Sequence, residues 1–265
     1  MSNSNSGPML DRPLPVDERG RVVAPAGFSV ADLHCHTSWS DGILGVESLL
    51  ELARARGIAA VAITDHDMIG GALRGNALEV EFGIQVIVGS EVTTRRQHHI
   101  VGLFLREAIP MFRGVPETVA RIREQGGLAI VAHPFLAVPA SASRGALRRW
   151  LEETTFDGVE LDSRYLSAGR KRRLIEFYAE HSVGLGSPVG GSDAHFRDVG
   201  RVVTLFPGKD AADLRAAMVQ RRTLVARTAL DIPRPSALDH ARNQARSLLW
   251  LPLYRARALL IGRYR

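Results

Sequence analysis

The chain has 265 residues, 45% hydrophobic and 23% charged, a balance that excludes a largely disordered polypeptide and suits one large domain or two small ones. No run approaches the roughly 20 apolar residues of a membrane-spanning helix, and the Ser/Asn-rich start lacks the apolar core of a secretory signal. Cys35 is the single cysteine, which excludes an intramolecular disulfide and a cysteine-built zinc finger and makes a reducing cytoplasm the expected compartment. The net charge is +6, but residues 236–265 hold six arginines against Asp239 and carry +5 of it, so the excess belongs to a tail.

Residues 1–27 are rich in Ser, Asn, Pro and charge without a period, and read as a flexible leader. An alternation follows over 28–235. Strand 28–35 precedes a helix over 46–56, with Val46, Leu49, Leu50 and Ala53 on one face. Strand 59–64 precedes a weaker helix over 71–82. Next come a short strand 85–88, a hairpin over 91–94 and 99–105, and a helix over 116–125 stopped by Gly126 and Gly127. Strand 128–132, helix 144–153, strand 158–161 and helix 168–181 repeat the pattern. A strand ending near Gly190, a strand over 202–206, a helix over 211–221 and a strand over 223–226 complete it. Short strands alternating with helices imply an α/β fold with a parallel sheet, closed like a barrel. No glycine-rich dinucleotide fingerprint follows any strand.

The polar residues collect at strand ends, where such barrels build their active sites. Asp32, His34, His36 and Asp41 lie in ADLHCHTSWSDG, and Asp65, His66 and Asp67 in ITDHD. Glu91 lies in GSEVT, His98 and His99 in HHIVGLF, His133 in VAHP, and Asp193 and His195 in GGSDAH. Only His181 and His240, of nine histidines, fall outside these segments. Strand alternation turns His34 and His36 to one face, where both can bind one metal. Cys35 then faces the other way, into packing. Asp32 shares the histidines' face and is expected to hydrogen-bond a ligand imidazole. Trp39 reads as a packing residue of the barrel mouth, with base stacking as its alternative. The mixed N/O donor set suits Zn, Mn or Fe.

Together, DLHCHTSWSDG, TDHD, GSE, HIVGL, AHP and GSDAH resemble, in order and spacing, the PHP (polymerase and histidinol phosphatase) family. The resemblance covers about residues 28–230. It implies a distorted (β/α)7 barrel with up to three divalent ions, and hydrolysis of phosphate esters of nucleotides or short oligonucleotides. By the resemblance, His34, His36, Glu91 and Asp193 would hold one ion, and Asp41, His66 and His195 a second. Glu91, bridging, would hold a third with His99 and His133. His99 is preferred to His98 because it directly precedes IVGL. Asp65, beside His66, resembles a proton-handling residue; His195 is the other candidate for a catalytic role. Arg164 in GVELDSR matches a phosphate-contacting position, with an ordinary solvated arginine as its alternative, and Arg201 is a second candidate of that kind.

Rival readings are a histidinol-phosphatase-like phosphomonoesterase, a non-catalytic PHP module and an amidohydrolase. The non-catalytic module usually lacks ligands, and here all nine positions are filled; the amidohydrolase would more often place a lysine at a strand end. The partner expected is a small phosphorylated substrate or a short oligonucleotide. In the tail, Leu238, Ala241, Ala245 and Leu248 recur at helical spacing. Two readings stay open there. One is a helix docked outside the barrel with solvated arginines; the other is a helix making weak peripheral contact with an anionic membrane surface, whose removal leaves the metal site active.

Overall fold

A computed structural model describes residues 7–262. The alternation read from the sequence is realised as β1 (Phe28–Cys35), α1 (Val46–Ala55), β2 (Ala60–Ile63), α2 (Gly70–Ala77), α3 (Glu79–Phe82), β3 (Gln85–Thr93) and β4 (His99–Leu103). There follow α4 (Val115–Glu124), β5 (Leu128–Val131), α5 (Arg144–Glu153), β6 (Gly158–Asp162), α6 (Ala168–Leu185), β7 (Ser187–Gly190), β8 (Val202–Pro207), α7 (Ala211–Val219) and β9 (Leu224–Arg227). Helix α1 buries Val46, Leu49, Leu50 and Ala53, and Glu47 and Arg54 sit at the ends where the helix dipole favours them. Two expectations shift locally: the helix over 71–82 breaks at Leu78 into α2 and α3, and the two short strands over 85–94 are one continuous β3.

The strands form one nine-stranded sheet in the order β7-β6-β5-β4-β3-β2-β1-β8-β9, curled into a nearly closed barrel. The family resemblance implies a seven-stranded barrel; β4 and β8, which match the strands expected over 99–105 and 202–206, run against their neighbours, while the other seven share one direction. The edges of the curl meet through side chains. Thr204 on β8 accepts from Gly190 N at 2.9 Å and donates to Gly190 O at 2.8 Å, and Thr223 donates to Pro188 O at 2.6 Å. The main core lies between sheet and helices. A smaller cluster groups Ala31, Leu33, Ile87, Val101, Ile130 and Phe206 with Leu214, Ala217 and Met218 of α7.

The leader corrects the sequence reading from residue 7 onward; residues 1–6 lie outside the described residues. Leu10 N donates to Val225 O at 2.9 Å and Leu14 N to Arg227 O at 2.8 Å, which lays the segment along β9, with Met9, Leu14 and Val22 buried. Three apolar side chains at irregular spacing carry no helical or strand period, so a docked coil reads in sequence as a flexible one. The tail forms α8 (Ala237–Ala245), a π-helical turn (Arg246–Trp250) and α9 (Leu251–Ile261). A reciprocal Ser236–Asp239 capping box starts α8. Among the described residues no helix is long and apolar enough to cross a membrane.

Candidate metal centre

One rim of the barrel collects the charged residues because of strand direction. His34, His66, Glu91, His133, Glu160 and Asp193 lie at or just beyond the C-terminal ends of co-directional strands. The reversed β4 brings His99 to the same rim at its N-terminal end. Two backbone bridges lock the rim. His36 N donates to Ala194 O at 3.0 Å and Ala194 N to His34 O at 3.1 Å, which sets Asp193 and His195 beside the His34/His36 pair. Asp67 N donates to Glu91 O at 3.0 Å and pairs His66 with Glu91. Gly191 is required at this point: a side chain there would run 2.5 Å from His34 Cβ and 2.9 Å from Glu160 Oε1. His133 and Asp193 have φ of 27° and 50°, strained backbone of the kind held at functional sites.

All nine sequence-predicted ligand positions come together. His34 Nε2 and His36 Nε2 face each other at 3.1 Å, and Glu91 Oε2 lies 3.3 Å from each. Asp193 Oδ1 is 3.6 Å from His34 Nε2 and 3.3 Å from His36 Nε2. His195 Nε2 is 3.3 Å and His66 Nε2 3.7 Å from Asp41. On the other side, His99 Nδ1 and His133 Nε2 lie 2.8 and 2.9 Å from Glu91 Oε1. Three overlapping donor groups result: His36, Asp41, His66 and His195; His34, His36, Glu91 and Asp193; and His66, Glu91 and His99. The third contains His66 where the sequence expectation had His133. His98, the alternative to His99, turns away and meets Trp150 edge-on at 5.1 Å.

Five buried atoms in this cluster have no hydrogen-bond partner: His66 Nδ1, His99 Nδ1, His133 Nδ1, Glu91 Oε2 and Asp193 Oδ1. Orphaned polar atoms at this density are costly unless something else satisfies them. Four donors each about 2.1 Å from a central ion lie roughly 3.4 Å apart, which matches the spacing within the His34 group. The residues present therefore fit divalent cations. Burial alone would push Glu91 and Asp193 up, but the rings around them hold both well below the usual carboxylate range. Burial likewise opposes charge on His195, yet Asp41 and Asp193 raise it to about 10.

The cluster opens into a cavity of about 520 Å³, flanked by Tyr165 and Arg170 and, across from them, by Asn243 and Ser247 of the tail. The tail is thus docked, but over the mouth. Asn243 Nδ2 donates to Asp41 O at 2.7 Å, Arg246 to Ser38 O at 2.6 Å, and Arg255 Nε to Asp67 Oδ2 at 2.7 Å. Arg246 and Arg255 are engaged, not solvated.

Several other expectations need correction. Asp65, expected beside His66 as a proton-handling residue, faces the loop after β1: it accepts from Thr37 N and Ser40 Oγ at 2.8 and 2.6 Å and from Thr37 Oγ1 at 2.6 Å, and so fixes that loop. Asp32 meets no imidazole; it accepts from Ser192 N at 2.9 Å and Gly200 N at 2.6 Å, tying the Asp193 loop to β1. Arg164 is bonded to buried Asp198, with its guanidinium over the Tyr165 ring, and does not line the cavity. Arg201 does not line it either, and its backbone N donates to Ser192 Oγ at 2.9 Å. Cys35 is buried, as expected, and burial pushes its thiol up. Trp39 is 42% exposed and packs beside Gly70. The sequence reading missed Glu160, which accepts from His34 Nδ1 at 2.7 Å and from His133 N at 2.6 Å. Its position at the end of another strand, like the ligands, was the available signal.

An uncharacterized protein of Methanocaldococcus jannaschii is 39% identical over 146 residues, which are 51% of this chain and 82% of that protein. A 3′,5′-nucleoside bisphosphate phosphatase of Chromobacterium violaceum is 28% identical over 212 residues, 73% of this chain and 71% of its own. A 5′-3′ exoribonuclease of Haemophilus influenzae is 35% identical over 102 residues, which span only 37% of either chain. In fold, the chain resembles a two-domain protein of Bacteroides vulgatus containing a predicted PHP-like metal-dependent phosphoesterase, with a TM-score of 0.65 at 18% identity, covering 80% of this chain and 70% of that one. The sequence pattern of the PHP domain matches residues 32–224, from the rim of β1 into β9, and the chain belongs to that family.

Proposed function

We propose that the protein is a phosphoesterase that holds three divalent ions, of Zn, Mn or Fe, and hydrolyses phosphate esters of nucleotides or short oligonucleotides. The orphaned donor atoms converging beneath an open cavity carry this reading. An imidazole ligates through one nitrogen at a time, so His36 and His66, each in two donor groups, divide between them. His34, His36, Glu91 and Asp193 hold one ion, Asp41, His66 and His195 the second, and Glu91, His99 and His133 the third. Bound divalent ions acidify a coordinated water and offset charge on phosphoryl oxygens. The chain's own residues do the rest. Glu160 orients His34, Asp65 and Asp32 fix the two loops that bear ligands, and Arg170 supplies a cation at the cavity wall. His195 Nδ1 donates to Asp193 O at 3.0 Å, which holds the ring so that Nε2, 3.3 Å from Asp41, is the nitrogen offered to the second ion.

The similarity to a bisphosphate phosphatase and an exoribonuclease favours nucleotide substrates over histidinol phosphate. The test is a screen of metal-loaded protein against histidinol phosphate, 3′,5′-bisphosphorylated nucleotides and 5′-phosphorylated short RNA. Phosphate or mononucleotide release from the nucleotide esters is expected. No turnover of any ester by fully loaded protein would mean a non-catalytic module.

The outer face of the tail supports a second reading, peripheral contact with an anionic lipid surface from the cytoplasmic side. Leu249, Leu253 and Leu260 are 66, 71 and 87% exposed, and Arg257 is also exposed among them. No acid follows Asp239 in the sequence, and apolar side chains with arginines suit such a surface. Arg263 and Arg265 lie outside the described residues. Salt-sensitive flotation with phosphatidylserine vesicles is expected, and self-association without flotation would assign that face to a second copy instead.

A further inference from the structure

A second cavity, of about 310 Å³, lies beside the start of β4, lined by His98 where the metal cavity is lined by His99. Arg95 and Arg96 from the β3–β4 turn, Arg113 before α4, Arg149 and Trp150 from α5, and His98 line it. Glu153 is the one acid in its wall. Among the described residues, Arg95, Arg96 and Arg149 have no carboxylate within ion-pair distance, and Arg113 has only a 3.8 Å approach to Glu117. Outside the tail the chain is close to neutral, so four arginines facing one cleft are a local concentration. The N-terminus of α4 opens on the same cleft, and no side chain caps it. His98 Nδ1 is buried there without a partner.

We propose that this cleft binds the phosphodiester chain of a single-stranded oligonucleotide whose end lies in the metal cavity. The inference rests on the phosphoesterase reading of that cavity and specifies its substrate as an oligonucleotide. The geometric link is the His98–His99 pair: neighbouring α-carbons are about 3.8 Å apart and successive strand side chains point to opposite faces. His99 enters the metal cluster while His98 enters the cleft, so one strand of substrate crossing the start of β4 touches both. Arginine forks suit phosphate oxygens, and the half-buried Trp150 offers a ring for a base. A mononucleotide is too short to use the cleft.

Full-length, metal-loaded protein carrying Arg96→Gln and Arg149→Gln, singly and together, tests this. For a 5′-phosphorylated five-nucleotide RNA, the double variant is expected to raise KM at least tenfold, while the kinetics on a bisphosphorylated mononucleotide stay within twofold. Equal effects on both substrates, or none on the RNA, would overturn the proposal. A separate arm measures binding of a fluorescent phosphorothioate oligonucleotide to metal-free protein against salt. The slope of log affinity is expected to shrink by about 0.7 for each arginine removed. This arm holds even if no ester is hydrolysed, so failure of the catalytic reading and failure of the cleft are told apart. Competition by inorganic phosphate alone, with oligonucleotide affinity unchanged in the variants, would make the cleft a small-anion site and sink the proposal.

Discussion

Glu160 and His34 are joined by a 2.7 Å hydrogen bond from His34 Nδ1, and this bond turns His34 Nε2 toward Glu91 and Asp193. The other oxygen of Glu160 accepts from the backbone of His133 at 2.6 Å, so one carboxylate orients ligands on two strands. Glu160→Gln can offer an oxygen to only one of the two donors. Such outer partners typically control metal affinity by 10- to 100-fold. The variant is expected to fold normally and to bind metal about tenfold or more weakly in a calorimetric titration. Unchanged affinity would show that His34 is held by packing alone.

His99→Ala is expected to abolish turnover of a mononucleotide ester and remove about one ion by elemental analysis. His98→Ala should leave both unchanged, because its ring meets Trp150 while His99 meets Glu91. Equal losses would contradict the division of the two faces.

The clustering of candidate donors was legible because strand-end position and alternation are local properties that survive folding. His34/His36 and Asp193/His195 could be read as pairs before any contact was known. The inward-facing acids were harder. Asp32, Asp65 and Asp67 lie beside the ligands in sequence, yet their oxygens go to backbone amides, hydroxyls and Arg255, partners that only tertiary structure supplies. The reversal of β4 was legible as the hairpin over 91–94 and 99–105. The reversal of β8 and the docking of the leader were hidden, because a strand's period does not give its direction and three scattered apolar anchors leave no period in the chain.

Metal affinity should rise with pH. In the metal-free protein, burial opposes charging His34 and His195, but facing carboxylates outweigh it, holding His34 well above its ordinary value and His195 at about 10. Both rings carry protons at neutral pH and must release them to ligate. Raised ring values stabilise the metal-free fold fully below about pH 6.5 and progressively less as pH climbs through 10. The depressed Asp41, Glu91 and Asp193 act oppositely, stabilising above the usual carboxylate range and less as pH falls. The gain in Tm on adding Zn or Mn should therefore grow from pH 6 to pH 9. A flat increment would contradict protonated rings in the empty cluster.

Arg164→Ala should behave as a stability variant. Its guanidinium is committed to Asp198, which is 2% exposed, and removing it strands a buried carboxylate. A cost of about 1–3 kcal/mol is expected, read as a lower Tm with KM for a nucleotide ester within twofold. A large rise in KM at unchanged Tm would return Arg164 to phosphate binding, as the family resemblance implied.

Removing residues 236–265 should damage the metal site, contrary to what the sequence suggested for a peripheral tail. Asn243 and Arg246 bond the carbonyls of Asp41, Ser38 and Gly42, the loop that delivers Asp41 to the cluster. Arg255 neutralises Asp67, fully buried at φ 56° directly after His66. Without the tail, that carboxylate keeps only its bonds from Thr93 and the loop loses three contacts. Metal affinity is expected to fall at least tenfold in the truncated protein. Arg255→Ala and Asn243→Ala separate this from general unfolding, because each removes one anchor and leaves the apolar seat of Leu251 and Ala258 in place. If both variants and the truncated protein bind metal as tightly as the full chain, the tail merely covers the mouth.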